Sequence, residues 1–165
     1  MTHHNLLIVP FEPWHIDVID LRDEQKATTY TSIEEVGGVE NYGQLFIHFA
    51  PVVNGEYMAK TGLLDGRVIY CGGLTWDTAS CVTAWSLISK DFVEAPLAVK
   101  KKVFKEIKKG IGKVPVRRVQ GLTDVGNPEA DRYLEWFGME FEGVLKGYGT
   151  NGSDQKIYGM VKNEQ

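Results

Sequence analysis

Few residues of this chain combine a reactive side chain with a spacing that suggests chemistry. Cys71 and Cys81 could act as nucleophiles, but no supporting His and Asp pattern accompanies them. They fall on two strands of a predicted hairpin, at positions that do not face each other, so buried free thiols are the better interpretation. His3 and His4 lie close to the N-terminus, where chain ends fray, and His48 lies within an apolar helical segment. We therefore expect no metal site.

Basic residues are concentrated between Leu97 and Arg118, a window with nine Lys or Arg and a single Glu. The window has a charge of +8 and the whole chain −4, which leaves −12 for the remainder. The segment could bind a phosphate-bearing ligand, an acidic or protein partner along Lys100 to Lys113, or nucleic acid, or it could be a solvated face. The pI near 5.6 and the scarcity of interleaved aromatic residues argue against nucleic acid.

Length and composition set the broad class. A chain of 165 residues matches one domain, and 43% hydrophobic with 24% charged residues is typical of a globular protein. The apolar runs are shorter than the roughly 20 residues of a membrane span, and the first residues show no secretion signal. We expect a single domain over residues 1–165, located in the cytoplasm and without membrane contact.

Hydrophobic periodicity predicts helices in the first third of the chain, an antiparallel meander in the middle, and alternating helices and strands thereafter. The helical predictions begin after Pro13, at the capping-box sequence Ser32-Ile33-Glu34-Glu35, at Tyr42 (to Ala50), at Pro96 (to Gly110 or Gly112) and at Asn127 (to Gly138). The predicted strands are Asn5–Phe11, Glu56–Leu64, Arg67–Trp76, Cys81–Ser89, Arg117–Asp124, a strand beginning at Glu140, and Gln155–Val161. Hairpin turns are predicted at Asp65-Gly66 and at Asn151-Gly152-Ser153-Asp154.

This order of elements resembles the GNAT acyltransferase superfamily, most specifically from Val68 onward. The resemblance implies an α/β (α+β) domain: a central, mixed, mostly antiparallel twisted sheet of about seven strands, flanked by about four helices. It also implies a sheet splayed between its fourth and fifth strands, here Cys81–Ser89 and Arg117–Asp124. More narrowly, the chain is similar to small GNAT-like proteins of tailed bacteriophages, some of them internal virion proteins. That similarity rests on Cys71-Gly72-Gly73, Ile88-Ser89-Lys90-Asp91 and the lysine-rich helix, and it implies the host cytoplasm or a virion as location.

The resemblance also implies acetyl-CoA as cofactor, bound in the cleft that the splay opens. Its pantetheine chain would pair with the backbone of the fourth strand, and its pyrophosphate would lie at the N-terminus of the next helix. The start of the helix after the fifth strand, matched here by Asn127, would also lie beside the cofactor. The acceptor pocket would be formed by residues 14–50 and 148–156. The cofactor-binding positions implied in this way are Leu87, Ile88, Ser89, Leu97, Ala98, Lys100, Lys101, Asn127 and Ala130.

Two departures from the family pattern affect the predicted chemistry. The motif Q/R-x-x-G-x-G/A, whose glycines admit the pyrophosphate, is replaced by a glycine-free segment from Asp91 to Ala98. Glu94 opposes a phosphate there, and Lys100 with its two neighbours could compensate. The family's acid tyrosine would stand at Leu134, one residue after Tyr133, which is rotated about 100° around the helix.

Asp124 is the best carboxylate for a general base, and it could equally cap the next turn. Tyr133 remains the candidate acid if the helix register shifts. Two main functions follow. The first is an N-acetyltransferase in which an amine attacks the thioester directly, with a bulge near Leu87–Ser89 donating to the oxyanion. The second is a non-catalytic phage protein that kept this fold, lost the cofactor and uses the lysine helix as a partner-binding face.

Overall fold

The computed structural model describes residues 3–162. Six helices and nine strands occur in this range. In chain order they are β1 (Leu6–Pro10), α1 (His15–Val18), α2 (Asp23–Glu35), α3 (Val39–His48), β2 (Val52–Val53), β3 (Glu56–Tyr57), β4 (Ala59–Leu64), β5 (Arg67–Thr78), β6 (Cys81–Ile88), α4 (Lys90–Glu94), α5 (Leu97–Lys113), β7 (Arg118–Asp124), α6 (Pro128–Trp136), β8 (Glu140–Leu145) and β9 (Gln155–Val161).

One seven-stranded sheet carries the fold, in the order β1-β4-β5-β6-β7-β9-β8. Neighbouring strands are antiparallel except β6 and β7, which run parallel because α5 crosses over between them. This parallel pair is short: it begins at Cys81 opposite Arg118 and ends at Ala84 opposite Gly121. Beyond it, Trp85–Ile88 and Leu122–Asp124 diverge. The predicted fold class and its splay between the fourth and fifth strands are therefore confirmed.

Hydrophobic clusters on both faces of the sheet hold the helices in place. On one face Leu87 packs with Phe11 and Leu21, among side chains of α1, α2 and α3. On the other face Ile88 packs with Phe92 and Val103, among side chains of α4 and α5. Because successive strand residues point to opposite faces, β6 contributes to both layers. The splay thus opens beneath helices on both sides.

Several helix boundaries differ from the predictions, among them those of α3, which runs from Val39 to His48 and not from Tyr42 to Ala50. The capping box at Ser32 was a wrong prediction, since α2 already begins at Asp23 and the Ser32 hydroxyl donates to the Thr28 carbonyl one turn back. The predicted stop at Gly110 or Gly112 was also wrong, because α5 continues to Lys113. Its last carbonyls accept hydrogen bonds from the Lys162 ammonium, which is 3.0 Å from the Ile111 oxygen.

The predicted turns are present. Asp65 and Gly66 both have positive φ, 50° and 84°, as a two-residue hairpin of the I′ type requires. Gly138 ends α6 at φ 95°, and the Met139 N–H donates to the Leu134 carbonyl over 3.1 Å. The short helix α4 was not predicted and lies in a segment expected to be a loop. The two-residue strands β2 and β3 were not predicted either, and β3 is separate from β4 although one strand was expected over Glu56–Leu64. Among residues 3–162, no helix is long and apolar enough to cross a membrane.

The Gly72-Gly73 pair lets β4 and its preceding residue approach β5 closely. A Cβ at Gly73 would lie 2.1 Å from the Met58 carbonyl oxygen and 2.8 Å from the Ala59 Cα. These are backbone atoms, which cannot rotate away as a side chain could. The Met58 oxygen is itself fixed, since it accepts a hydrogen bond from the Leu74 N–H over 2.9 Å.

We expect Gly73→Ala to lower the free energy of unfolding by about 3 kcal/mol, because β4 must move to admit the methyl group. Gly112→Ala is the matched control, since a Cβ there meets no atom within 4 Å and Gly112 lies inside α5. The control should stabilise by up to about 1 kcal/mol. Urea unfolding of the two variants measures both values, and equal stabilities would contradict the close approach.

Candidate functional site

A cleft of about 760 Å³ follows the divergence of β6 and β7 through the sheet. One wall is the free part of β6 and the start of α2. The other wall is the end of β7 and the first two turns of α6. Six of the predicted site residues line it together: Leu87, Ile88, Asp124, Asn127, Ala130 and Tyr133.

The backbone of β6 that faces the cleft is hydrogen-bonded to α2. Leu87 pairs with Cys71 of β5, so the polar groups of Ser86 and Ile88 point the other way, into the splay. There the Gln25 side chain donates to the Ser86 carbonyl over 2.9 Å and accepts from the Ile88 N–H over 2.7 Å. The Gln25 side-chain amide thus forms the two hydrogen bonds with β6 that a neighbouring strand would otherwise form.

The predicted bulge near Leu87–Ser89 is absent. Pairing between β5 and β6 is regular from Tyr70 opposite Ile88 to Trp76 opposite Val82, and the register shifts only between Trp76 and Thr78. The Ile88 N–H, which a bulge would have aimed at an oxyanion, is taken by Gln25. The bulge was wrong because it rested on the family pattern and not on any Gly or Pro in this stretch.

A buried arginine links the two walls across the cleft. Arg22 is 7% exposed, and its backbone N–H donates to the Ile88 carbonyl over 3.1 Å. Its Nη1 lies 3.6 Å from Oε2 of Glu129 on α6. The other carboxylate oxygen, Oε1, accepts a hydrogen bond from the Tyr133 hydroxyl. Burial, and then this bond to Glu129, raise the pKa of Tyr133, so its hydroxyl stays protonated at neutral pH.

The predicted acid and base lie on the α6 side of the cleft. Tyr133 packs against Phe104 with ring centroids 4.8 Å apart, while Leu134 points into the space left by Gly121. The Asp124 carboxylate accepts from the Gln155 amide over 2.9 Å, and its backbone oxygen accepts from the Asn127 N–H. Asp124 therefore lines the cleft, and its contact in the turn before α6 is made by its backbone carbonyl.

The polar end of the cleft lies between α2 and the loop before β9. Thr28, Ser32 and Tyr42 line it from the helices, and Thr150 lines it from the loop. Ser32 and Thr150 approach each other, with 3.4 Å between their hydroxyl oxygens. These elements belong to the two segments, residues 14–50 and 148–156, that were expected to form an acceptor pocket.

The remaining reactive side chains do not form a site. Burial raises the pKa of the Cys71 thiol to about 12, which keeps it neutral and unreactive. Cys81 is partly buried, and burial raises its pKa as well. Within residues 3–162, no three His, Cys, Asp or Glu side chains are grouped so that they could hold a metal ion.

Comparisons with known proteins agree on the architecture. No protein-family model matches the sequence, and neither does any curated protein. Among solved structures, Ard1 from Thermoplasma volcanium is 14% identical over 96% of this chain and 99% of its own, with a TM-score of 0.63. A GNAT-family acetyltransferase from Bacillus anthracis is 13% identical over 94% of each chain, with a TM-score of 0.62. RimJ from Mycobacterium smegmatis, solved in complex with CoA-disulfide, is 12% identical over 94% of this chain and 81% of its own, with a TM-score of 0.61.

This chain has the GNAT fold. Within that fold, the first turn of α5 is not part of the cleft. None of Leu97, Ala98, Lys100 and Lys101 lines the cleft; Leu97 is 66% exposed, and the Lys100 ammonium donates to the Val93 carbonyl over 2.6 Å. Ala98 faces a separate depression beside Leu6 of β1. The cause is α4, which lies between β6 and α5 and moves the start of α5 toward the β1 side of the sheet.

Two more predicted residues have structural partners. Ser89 is fully buried, and its hydroxyl accepts from the Phe92 N–H over 3.0 Å as the N-cap of α4. Asn127 caps α6 by accepting from the Ala130 N–H over 3.3 Å. The prediction missed Arg22, Gln25 and Glu129. The first two were missed because the second helix was predicted to begin at Ser32, so the start of α2 at Asp23 was not recognised.

Asp131 fastens α6, and with it one wall of the cleft, to the sheet. Its side chain accepts from the Thr123 hydroxyl of β7 over 2.7 Å and from the Lys156 ammonium of β9 over 2.6 Å. Burial of Asp131 raises its pKa, but the hydrogen bonds from Lys156 and Thr123 outweigh burial, so the pKa is lowered below its usual value. The residue is 8% exposed, and solvent therefore screens these bonds only weakly.

We expect Asp131→Asn to lower the free energy of unfolding at pH 7 by about 2 kcal/mol, the range of a hydrogen bond to a charged group. A lowered folded-state pKa stabilises above the unfolded value near 3.9 and less as pH falls through the folded value, so the difference from wild type should be full above about pH 5 and shrink at lower pH. Urea unfolding between pH 3 and 7 measures it. Asp20→Asn, at an exposed carboxylate 3.9 Å from Lys26, is the control and should cost less than about 1 kcal/mol. A pH-independent difference would contradict the role of the charge.

Proposed function

We propose that this chain is an acyl-CoA-dependent N-acyltransferase, with acetyl-CoA as donor and an amine as acceptor. One observation carries the proposal: the sheet opens between β6 and β7, and the opening leaves the β6 backbone beyond Ala84 without a strand on its β7 side, inside a cleft of about 760 Å³. The similarity in fold to acetyltransferases, among them one bound to CoA-disulfide, supports it.

The residues of the cleft fit one part of the cofactor better than another. The Ser86 carbonyl and the Ile88 N–H are an acceptor and a donor in adjacent backbone positions, which an amide of pantetheine can satisfy as the Gln25 amide does. The fit to the pyrophosphate is poor at the predicted place, because the segment between β6 and α5 has no glycine and α5 starts away from the cleft. We therefore assign the pantetheine to β6 and leave Lys100, Lys101 and Lys102, at the start of α5, outside the site.

The protein side of the chemistry is simple. Acetyl-CoA, when bound, supplies an activated acetyl group on a thioester. Asp124 is the cleft carboxylate that could accept the proton of an attacking amine, held in place by Gln155. Tyr133, which stays protonated at neutral pH, could return a proton to the departing sulfur once its hydroxyl leaves Glu129. Positioning in the cleft supplies much of the remaining rate enhancement.

A second candidate function is a non-catalytic protein with this fold, associated with a phage virion or a host partner. The occupation of the β6 edge by Gln25 favours it, since the unliganded cleft already satisfies its own backbone. In that case the lysines of α5, most of which are exposed, would form the partner-binding surface. An acidic protein is the partner that this charge favours.

Acetyl-CoA at 100 times its dissociation constant should raise the free energy of unfolding by about 2.7 kcal/mol. Gln25→Ala should bind acetyl-CoA more tightly, by about 30-fold, because the ligand no longer displaces a side chain that makes two hydrogen bonds of about 1 kcal/mol each. Thermal unfolding over a cofactor titration, together with calorimetry, measures both.

Gln44→Ala is the control, because Gln44 is an exposed glutamine of α3 that bonds only to the side chain of Glu40 among the described residues. It should leave the affinity unchanged. Weaker binding by Gln25→Ala would show that Gln25 holds the ligand instead of occupying its place. The absence of any shift at millimolar acetyl-CoA in wild type and in Gln25→Ala would overturn the enzyme proposal and favour the non-catalytic alternative.

A further inference from the structure

Arg22 is the most unusual charged residue of the cleft. Its side chain is buried, yet within residues 3–162 its Nε has no hydrogen-bond partner. A guanidinium has five N–H donors, and burying it costs several kcal/mol in real proteins unless those donors and the charge are matched. The nearest carboxylate, that of Glu129, stands 3.6 Å from Nη1 and already accepts from Tyr133. Arg22 therefore has an N–H donor, on Nε, that is available to bind an anion.

A backbone hydrogen bond places Arg22 at the end of β6. The Arg22 N–H donates to the carbonyl of Ile88, the last residue of β6, so Arg22 is anchored where the free part of β6 ends. Three residues further on, Gln25 occupies the β6 edge itself. A ligand that replaced the Gln25 amide along β6 would thus pass directly to Arg22 at the end of the strand.

Lys100, Lys101 and Lys102, at the start of α5, do not line the cleft. Because α4 carries the chain away from the splay, the first turn of α5 lies outside the cleft, and the Lys100 ammonium is bonded to the Val93 carbonyl. Glu94 belongs to that displaced segment too. A glycine loop that binds a diphosphate would follow the end of β6, and the sequence has no glycine there. The cleft instead has the buried Arg22 near the end of that strand.

We propose that Arg22 is the anion-binding residue of the cleft and that it binds a diphosphate, the group that joins pantetheine to the nucleotide in CoA. This inference rests on the proposed function for the identity of the whole ligand, but the diphosphate site itself does not require acyl transfer. A planar fork of donors suits two phosphate oxygens at once. In the free protein Glu129 is the counter-ion, and the diphosphate competes with it for the guanidinium.

The test compares ligands with and without the diphosphate, namely acetyl-CoA, acetyl-pantetheine and inorganic pyrophosphate, by calorimetry and thermal unfolding. Wild type should bind acetyl-CoA more tightly than acetyl-pantetheine, and Arg22→Met should lose about 10- to 100-fold of that preference while binding acetyl-pantetheine as before. Arg22→Lys should lose less, because it keeps the charge but not the fork. Glu129→Gln should bind pyrophosphate more tightly than wild type, since the competing carboxylate is gone.

Two controls separate this site from general charge effects. Arg67→Met removes an exposed arginine that pairs with Asp91, and it should change no affinity. Changing Lys100, Lys101 and Lys102 together to Met tests the alternative phosphate site at α5. The proposal is overturned if the triple variant loses the preference and Arg22→Met keeps it, or if Glu129→Gln leaves pyrophosphate binding unchanged.

The outcomes also separate this inference from the proposed function. Arg22-dependent stabilisation by pyrophosphate, without binding of acetyl-CoA or acetyl-pantetheine, would support the anion site and overturn the acyl-CoA proposal. Binding of acetyl-CoA and acetyl-pantetheine with equal affinity in wild type would support the pantetheine cleft and overturn the role of Arg22. If wild type binds none of the three ligands, both proposals are overturned. Circular dichroism of Arg22→Met and Arg22→Lys checks that both variants fold.

Discussion

The short parallel pairing between β6 and β7 is the constraint on which the rest of this molecule depends. Two parallel strands that pair along their whole length leave no space between them, whereas these pair only as far as Ala84 and Gly121. Every backbone group beyond that point needs another partner or water, because buried polar backbone is almost always hydrogen-bonded. On the β6 side the partners come from the start of α2, through Gln25 and the backbone of Arg22. The position of α2 is therefore linked to the opening of the cleft, because residues at its start supply hydrogen bonds to β6 that β7 does not supply.

The short helix α4 redistributes charge relative to the cleft. It has five residues, fixed at its start by the Ser89 hydroxyl and in its middle by the fully buried Phe92 ring. With α4 in place, the strongly basic helix α5 begins outside the opening, and its first lysines, Lys100, Lys101 and Lys102, do not line the cleft. The buried positive charge at the end of β6 is then that of Arg22. Among buried sites an arginine is better suited than a lysine, because its charge is delocalised and less strongly hydrated.

Much of the fold could be predicted from local patterns. Period-two alternation from Arg67 onward, the Asp65-Gly66 turn and the glycine stop at Gly138 each depend on residues close in sequence, and each is present. The end of α5 at Lys113 could not be predicted, because the group that satisfies the last carbonyls of α5 is Lys162, about fifty residues away. The start of α2 was missed for a related reason. Arg22 and Gln25 hydrogen-bond to β6, which lies more than sixty residues later in the sequence, and the residues around them do not indicate these contacts. The predicted part of the site was therefore the β6 residues Leu87 and Ile88 together with Asp124, Asn127, Ala130 and Tyr133 on the other wall. The contacts of Arg22, Gln25 and Glu129 required the tertiary structure.

The position of β9 between β7 and β8 has a consequence for the order of folding. β9 is the last strand along the described chain, yet it has a neighbour on each side in the sheet and pairs with seven consecutive residues of β7, from Arg118 to Asp124. Until β9 emerges during synthesis, β7 lacks that antiparallel neighbour and β8 lacks its only partner within the sheet. Lys162, directly after β9, arrives later still, and its ammonium completes the C-terminal end of α5. The β7 wall of the cleft thus gains its supporting strand only after residues 155–161 have been synthesised, so a nascent chain that ends before β9 contains the meander β4–β6 but lacks a complete cleft wall.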